Sequence, residues 1–285
     1  MLKPEYKIKI LVACHKSDTA IYQNDIYMPI QVGKALHANV ELGFQCDNTG
    51  DNISEKNDSY CELTAIYWAW KNLKDIDYIG LCHYRRYFDF FKKHYQSSIT
   101  VKTNPLHTYK HSNKLLIEKL DNVDIALAKP ISNPYNLFQD YASNHNGLDM
   151  KVIEKIIADL YPDYVNSFRE IIYFNNNISP YNMFVMRWEL FDNYCNWLFS
   201  ILNRAEKDID ITSYNPYQKR IWGFIAERLL NVYVEYQNST QNNLKINHYS
   251  VLLINDDKTP ESKIKTFIRN LRYKISFALT TPRQR

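Results

Sequence analysis

The chain opens with an apolar run at residues 7 to 14 (KIKILVAC), dense in aliphatic and β-branched side chains. It predicts a buried strand ending in His15-Lys16-Ser17-Asp18. Residues 47 to 58 (DNTGDNISEKND) are polar and predict a loop, and residues 60 to 73 (YCELTAIYWAWKNL) have the density and length of a mostly buried helix. A second strand is predicted at 78 to 82 (YIGLC), and a short third at 124 to 128 (DIALA), closed by Lys129-Pro130. Residues 130 to 147 predict a long irregular segment of the kind that often carries function. Beyond it, helical spacing covers 149 to 160, 162 to 173, 188 to 202 and 218 to 236, with a strand at 181 to 186 (YNMFVM). Strands alternating with helices predict an α/β protein with a largely parallel sheet covered on both faces. No internal repeat or low-complexity linker divides it, so the simplest division is one α/β domain over residues 1–260 and a tail over 261–285.

The strand at 78 to 82 breaks at once into His83-Tyr84-Arg85-Arg86. In an open α/β sheet, ligands lie outside the carboxyl ends of strands, and arginine grips phosphate through a planar, bidentate fork. His83, Tyr84, Arg85 and Arg86 are therefore candidates for a phosphate-sugar site, joined by His15 and Lys16 at the end of the first strand. The alternative is an edge strand whose arginines are solvated or paired to carboxylates. Two D-x-D pairs raise the question of a divalent manganese or magnesium ion. Asp75 and Asp77 fall at the amino end of their strand, however, and Asp208 and Asp210 follow a helix, where caps and turns use aspartate routinely. No metal ligand is assigned, and a metal-dependent site on Asp75 or Asp77 stays open.

Composition narrows the chemistry further. With 6 glycines in 285 residues, neither a G-x-x-x-x-G-K nor a G-x-G-x-x-G loop occurs. The 23 tyrosines and abundant asparagine fit a carbohydrate-facing surface, or simply an A·T-rich genome. Five widely spaced cysteines with no C-x-x-C pair, and no leader at the amino terminus, lead us to expect a reducing cytoplasm. No apolar stretch reaches the roughly 18 to 20 residues of a membrane span. Residues 263 to 285 hold seven basic side chains (Lys263, Lys265, Arg269, Arg272, Lys274, Arg283, Arg285) and no acidic one, so the net charge of +4 leaves −3 for the remainder. Ile264, Phe267, Ile268, Leu271 and Ile275 fall at helical spacing there, which predicts a basic amphipathic helix. It would either lie on an anionic membrane surface or dock on the domain by its apolar stripe. The body carries no comparable basic stretch, which argues against nucleic acid.

Among carboxylates, Glu62 and Glu227 interrupt helices that are otherwise apolar, where an unpaired charge is costly. Arg228 beside Glu227 offers a structural ion pair as the alternative to a functional role. His145 and Asp149, four apart, could share a helix face and supply a base, or stand at a solvated helix terminus.

The segments at 53 to 72 (ISEKNDSYCELTAIYWAWKN), 77 to 88 (DYIGLCHYRRYF), 181 to 186 (YNMFVM), 194 to 199 (YCNWLF) and 220 to 230 (RIWGFIAERLL) together resemble a bacterial family from capsule and exopolysaccharide gene clusters. Its members carry a domain long catalogued as of unknown function and are regarded as glycosyltransferases with a GT-A-like fold, some of them galactosyl- or galactofuranosyltransferases. The resemblance runs over about residues 7 to 255. It implies a Rossmann-type nucleotide-binding sheet, a UDP-sugar donor and a lipid-linked oligosaccharide acceptor. Placed on this chain, it points to Asn57, Glu62 and the block from His83 to Arg86 for the donor, and to Asn182, Glu227 and Arg228 near the transfer site. The function expected is transfer of a hexose, galactose or galactofuranose, by a cytoplasmic enzyme peripheral on the inner face of the plasma membrane. The competing expectation is a non-catalytic glycan- or membrane-binding subunit of a polysaccharide assembly complex.

Overall fold

The structure, a computed structural model, describes residues 6–109, 112–255 and 262–280. The first elements in chain order are β1 (Ile8–Cys14), β2 (Tyr27–Gln31), β3 (Gln45–Cys46), α1 (Asn57–Tyr60), α2 (Leu63–Asn72), β4 (Tyr78–His83), β5 (Arg86–Phe88) and β6 (Ser98–Val101). Then come α3 (Ser112–Leu120), β7 (Ile125–Ala128), β8 (Ile131–Ser132), α4 (Leu137–Asn144), α5 (Gly147–Leu160), α6 (Val165–Phe174), β9 (Asn177–Ile178) and β10 (Phe184–Arg187). The chain closes with α7 (Trp188–Asp208), α8 (Ile221–Thr240), β11 (Ile246–Tyr249), β12 (Val251–Ile254) and α9 (Lys263–Thr280).

The described residues fall into two compact units, the first within 1–129, 183–195 and 245–261, the second within 130–182, 196–244 and 262–285. The first is built on a mixed, mostly parallel sheet in the order β11-β7-β10-β4-β1-β2-β3, with β5, β6 and β12 branching from it. Its centre is β1, where Ile10, Leu11, Val12 and Cys14 are all buried, each large aliphatic contributing about 1.5–3 kcal/mol. Parallel pairing aligns Ala13 with His83, Cys14 with Gln31, and Gln31 with Cys46, so β4, β1, β2 and β3 end along one edge. Strand β10 runs against them between β7 and β4. A Cβ on Gly80 would lie 2.6 Å from Val185 Cγ2 and 2.7 Å from the Phe184 carbonyl oxygen, so this glycine lets β10 approach β4. The fold class expected from the sequence is thereby found: a mostly parallel sheet with helices, and a C-terminal helix.

The second unit is helical, with a two-stranded β8-β9 ladder. In α8, Trp222, Ile225, Leu229, Val232 and Tyr233 recur at helical spacing and are buried, and this helix packs on α6. The chain enters the unit twice, after β7 and again along α7, and returns to the sheet as β10 and β11.

Several expectations need correction. The helix predicted over 60 to 73 is split at Cys61, whose φ of +53° ends α1 and leaves Glu62 at the start of α2 rather than inside a helix. The segment 130 to 147 is not irregular, since it holds β8 and α4, and Asn136 and Gln139 form a reciprocal capping box at the start of α4. The strand expected from 181 starts at Phe184, because Tyr181 and Asn182 have φ of +73° and +53°. The tail boundary at 260/261 and Arg283 and Arg285 lie outside the described residues.

Candidate functional site

Two polar clusters stand along the carboxyl edge of the sheet in the first unit. At the ends of β1 and β4, the two-residue turn Tyr84-Arg85 joins β4 to β5, with His83 opposite Arg86. The turn is fixed on both sides: the Tyr84 N–H donates to the Ala13 carbonyl at 3.2 Å, and the Ile254 N–H donates to the Arg85 carbonyl at 2.9 Å. Strand β4 is thus an interior strand, not an edge. The His15 ring meets Tyr84 edge-on at 5.1 Å, and Lys16 Nζ lies 5.9 Å above the same ring. Arg85 Nε donates to Asp18 Oδ2 at 2.7 Å, while the Asp18 Oδ1 accepts the Ala20 N–H at 2.9 Å. The carboxylate pairing weighed as an alternative is therefore present for Arg85, and it orients the guanidinium at the sheet edge. His83 and Arg86 are half-buried beside it.

The second cluster stands beyond β2 and β3. The fully buried Asp47 accepts the N–H groups of Gly33 and Lys34 at 2.8 and 3.1 Å and the hydroxyls of Ser54 and Thr64 at 2.5 and 2.6 Å. Asn57 donates to Thr64 Oγ1 at 3.0 Å and to the Cys61 carbonyl at 2.7 Å. Gly33 has φ of +68°, and a Cβ there would meet Asn57 Oδ1 at 2.6 Å, so loop and helix start are in close contact. Glu62 is half-buried nearby in sequence, at the head of α2.

In the second unit, the remaining predicted residues come together. Arg228, 6% exposed, donates through Nη2 to Asp140 Oδ2 at 2.7 Å, stands 5.0 Å over the Tyr141 ring, and lies 3.6 Å from Glu227 Oε2. Glu227 Oε1 accepts the Tyr181 N–H, and Asn182 Nδ2 donates to the Gly223 carbonyl at 3.1 Å. The left-handed pair at 181 and 182 is thus anchored on α8, and such strain concentrates at functional sites. His145 is packed by Tyr141, Phe224 and Tyr217 at centroid distances of 4.8, 4.3 and 5.5 Å. Burial, helped by the Arg228 charge, lowers its pKa to about 4. Asp149, 3% exposed, accepts hydroxyls from Tyr214 at 2.7 Å and Tyr141 at 3.5 Å, and burial nonetheless raises its pKa. His145 caps the C-terminal end of α4 and is half-buried, whereas the buried Asp149 lies in the first turn of α5, so they share the Tyr141 ring rather than a helix face.

Asp18, Asp47, Ser54, Thr64, Asp140, Tyr141 and Tyr214 belong to these clusters and were not singled out from sequence. Asp18 sits within a polar stretch already noted, but the strand before Asp47 has two residues and gives no periodic signal. The D-x-D pairs go elsewhere. Asp77 Oδ2 accepts the Lys7 N–H at 2.8 Å at the amino end of β4, and Asp75 is a turn residue with φ of +55°. Asp208 pairs with Arg204 at 2.9 Å, and Asp210 accepts the Thr212 N–H at 2.9 Å. Among the described residues, no three His, Cys, Asp or Glu side chains gather to hold a metal ion. A cleft of about 520 Å³ bordered by Lys7, Trp70, Asp75, Asp77 and Trp188 opens at the amino ends of β1 and β4, away from the carboxyl-edge clusters.

The fold and the edge clusters define an open α/β protein with cationic and aromatic groups where such sheets hold ligands. A family model described as a domain of unknown function (DUF4422) matches residues 9–265, and the chain belongs to that family. A solved structure of WbbM, a bifunctional glycosyltransferase in its apo form, is similar, with 31% identity and a TM-score of 0.77 over 89% of this chain and 46% of that one. This chain thus spans about half the length of WbbM. No curated protein matches.

Proposed function

We propose that this chain is a glycosyltransferase of bacterial capsule or exopolysaccharide synthesis, transferring galactose or galactofuranose from UDP to a hydroxyl of a lipid-linked glycan. The observation that carries this proposal is the likeness of 89% of the chain to a bifunctional glycosyltransferase at 31% identity. The acceptor oxygen would bond to the anomeric carbon as the bond from that carbon to the diphosphate breaks, the electron pair leaving with UDP. Arg85 and Arg86 would stabilise the departing diphosphate, as cationic clamps do on leaving phosphates. His15, Lys16, His83 and Tyr84 would border the donor, and Asn57 and Glu62 would shape the neighbouring loop. The carboxylates put forward from the sequence to take the acceptor proton are Asp149 and Glu227. Asp149 is the stronger candidate, since its raised pKa moves it toward the range of a general base. His145, with its pKa lowered to about 4, would stay neutral at pH 7 and position its neighbours.

Arg85→Ala and Arg86→Ala should each lower kcat by about 100-fold or more with UDP-galactose, as loss of a charge-stabilising donor does. Wild-type turnover by both variants would overturn the assignment. A protein that binds glycan but turns over no UDP-sugar would favour the non-catalytic subunit.

A further inference from the structure

Helix α9 presents its apolar stripe outward. Ile264, Phe267, Ile268, Leu271, Ile275 and Leu279 are 44–82% exposed. The covered side is the opposite one: Thr266 is buried, and Asn270, Tyr273 and Phe277 are half-buried. The helix packs on β8. Docking by the apolar stripe, one of the two expectations from sequence, is thereby corrected. At 100° per residue, Lys263 and Lys274 flank the stripe on one side and Lys265, Arg269 and Arg272 on the other. The helix start is fixed by Ser262, whose Oγ accepts the Lys265 N–H at 3.3 Å and whose carbonyl accepts the Thr266 N–H at 3.1 Å.

An apolar band exposed along about 23 Å of helix, flanked by five cations with no acidic residue between Lys263 and Thr280, is the arrangement of a helix lying in a membrane interface. Lysine and arginine stems can cover the apolar band while their charges reach headgroup phosphates. Among the described residues no helix is long and apolar enough to cross a membrane, so the mode is surface seating. A second copy is a poor occupant, because two such faces would bring like charges together.

We infer that α9 seats the protein on an anionic phospholipid bilayer, its outward stripe entering the headgroup region and its lysines and arginines contacting lipid phosphates. This inference does not rest on the proposed transferase activity, and vesicle binding tests it separately. The full chain should co-sediment with vesicles of phosphatidylcholine mixed with phosphatidylglycerol, much less with phosphatidylcholine alone, and less again at high salt, which screens the attraction. Ile268→Asp and Leu271→Asp, both at exposed positions, should each weaken partitioning by about tenfold or more. Lys265→Glu combined with Arg272→Glu should do the same for anionic vesicles. Circular dichroism would confirm that each variant keeps its fold. Equal binding to neutral vesicles, wild-type partitioning by the Asp variants, or a dimer in solution that Leu271→Asp dissociates would each overturn the inference.

Discussion

His145 is the residue whose protonation most clearly couples to folding. Its pKa falls from 6.5 to about 4 because burial penalises the imidazolium, with Arg228 adding to the effect. A histidine with a depressed folded-state value is neutral in the fold while the unfolded chain takes up the proton. Stability is therefore full above about pH 6.5 and declines as pH falls toward 4. Discounted for its partial exposure, the effect is about 1–2 kcal/mol. His145→Gln should flatten the drop in urea midpoint between pH 7 and pH 5, and an unchanged drop would refute this. Asp47 is a second test, because its carboxylate accepts four hydrogen bonds while fully buried. Asp47→Asn would turn an amide NH₂ toward donors and should cost about 2–3 kcal/mol in denaturant titration. Of these, His145 was legible in sequence, whereas Asp47 was not, because its partners come from three separate segments.

At the scale of elements, the long apolar runs were legible: β1, β4, α7 and α8 lie where their periodicity puts them. Strands β2, β5, β6, β11 and β12 were not anticipated, and for three of them the reason is local. Pro29 interrupts β2, β5 has three residues, and Asn247 and His248 make β11 polar at the sheet margin. The split of the helix at Cys61 and the turn at Tyr181-Asn182 depend on left-handed backbone at non-glycine residues, which no composition signal marks. Asp75 offers the opposite test of such strain. Asp75→Gly should stabilise the turn before β4 by up to about 1 kcal/mol, and, standing at the amino end of β4, it should leave UDP binding unchanged. Gly80→Ala should destabilise the β4-β10 pair by about 1–3 kcal/mol, since its Cβ would press on Val185 and the Phe184 carbonyl.

For the whole molecule, alternation of strands and helices was enough to give an α/β sheet, and the cationic and aromatic run after β4 stands at its carboxyl edge. It did not reveal that the chain leaves that sheet twice to build a helical unit, because the excursions have the same local periodicity as sheet-covering helices. The candidate residues nevertheless form local groups: His15, Lys16, Tyr84 and Arg85 in the first unit, and His145, Asp149, Asn182, Glu227 and Arg228 in the second. A UDP-sugar site built on arginine at the carboxyl edge can be probed by calorimetric titration of UDP into wild type and Arg85→Ala, with manganese and then with chelator. Wild-type binding should survive the chelator and weaken about tenfold or more in the variant. No binding of UDP in either condition, or binding lost with the chelator and unaffected by Arg85→Ala, would contradict it.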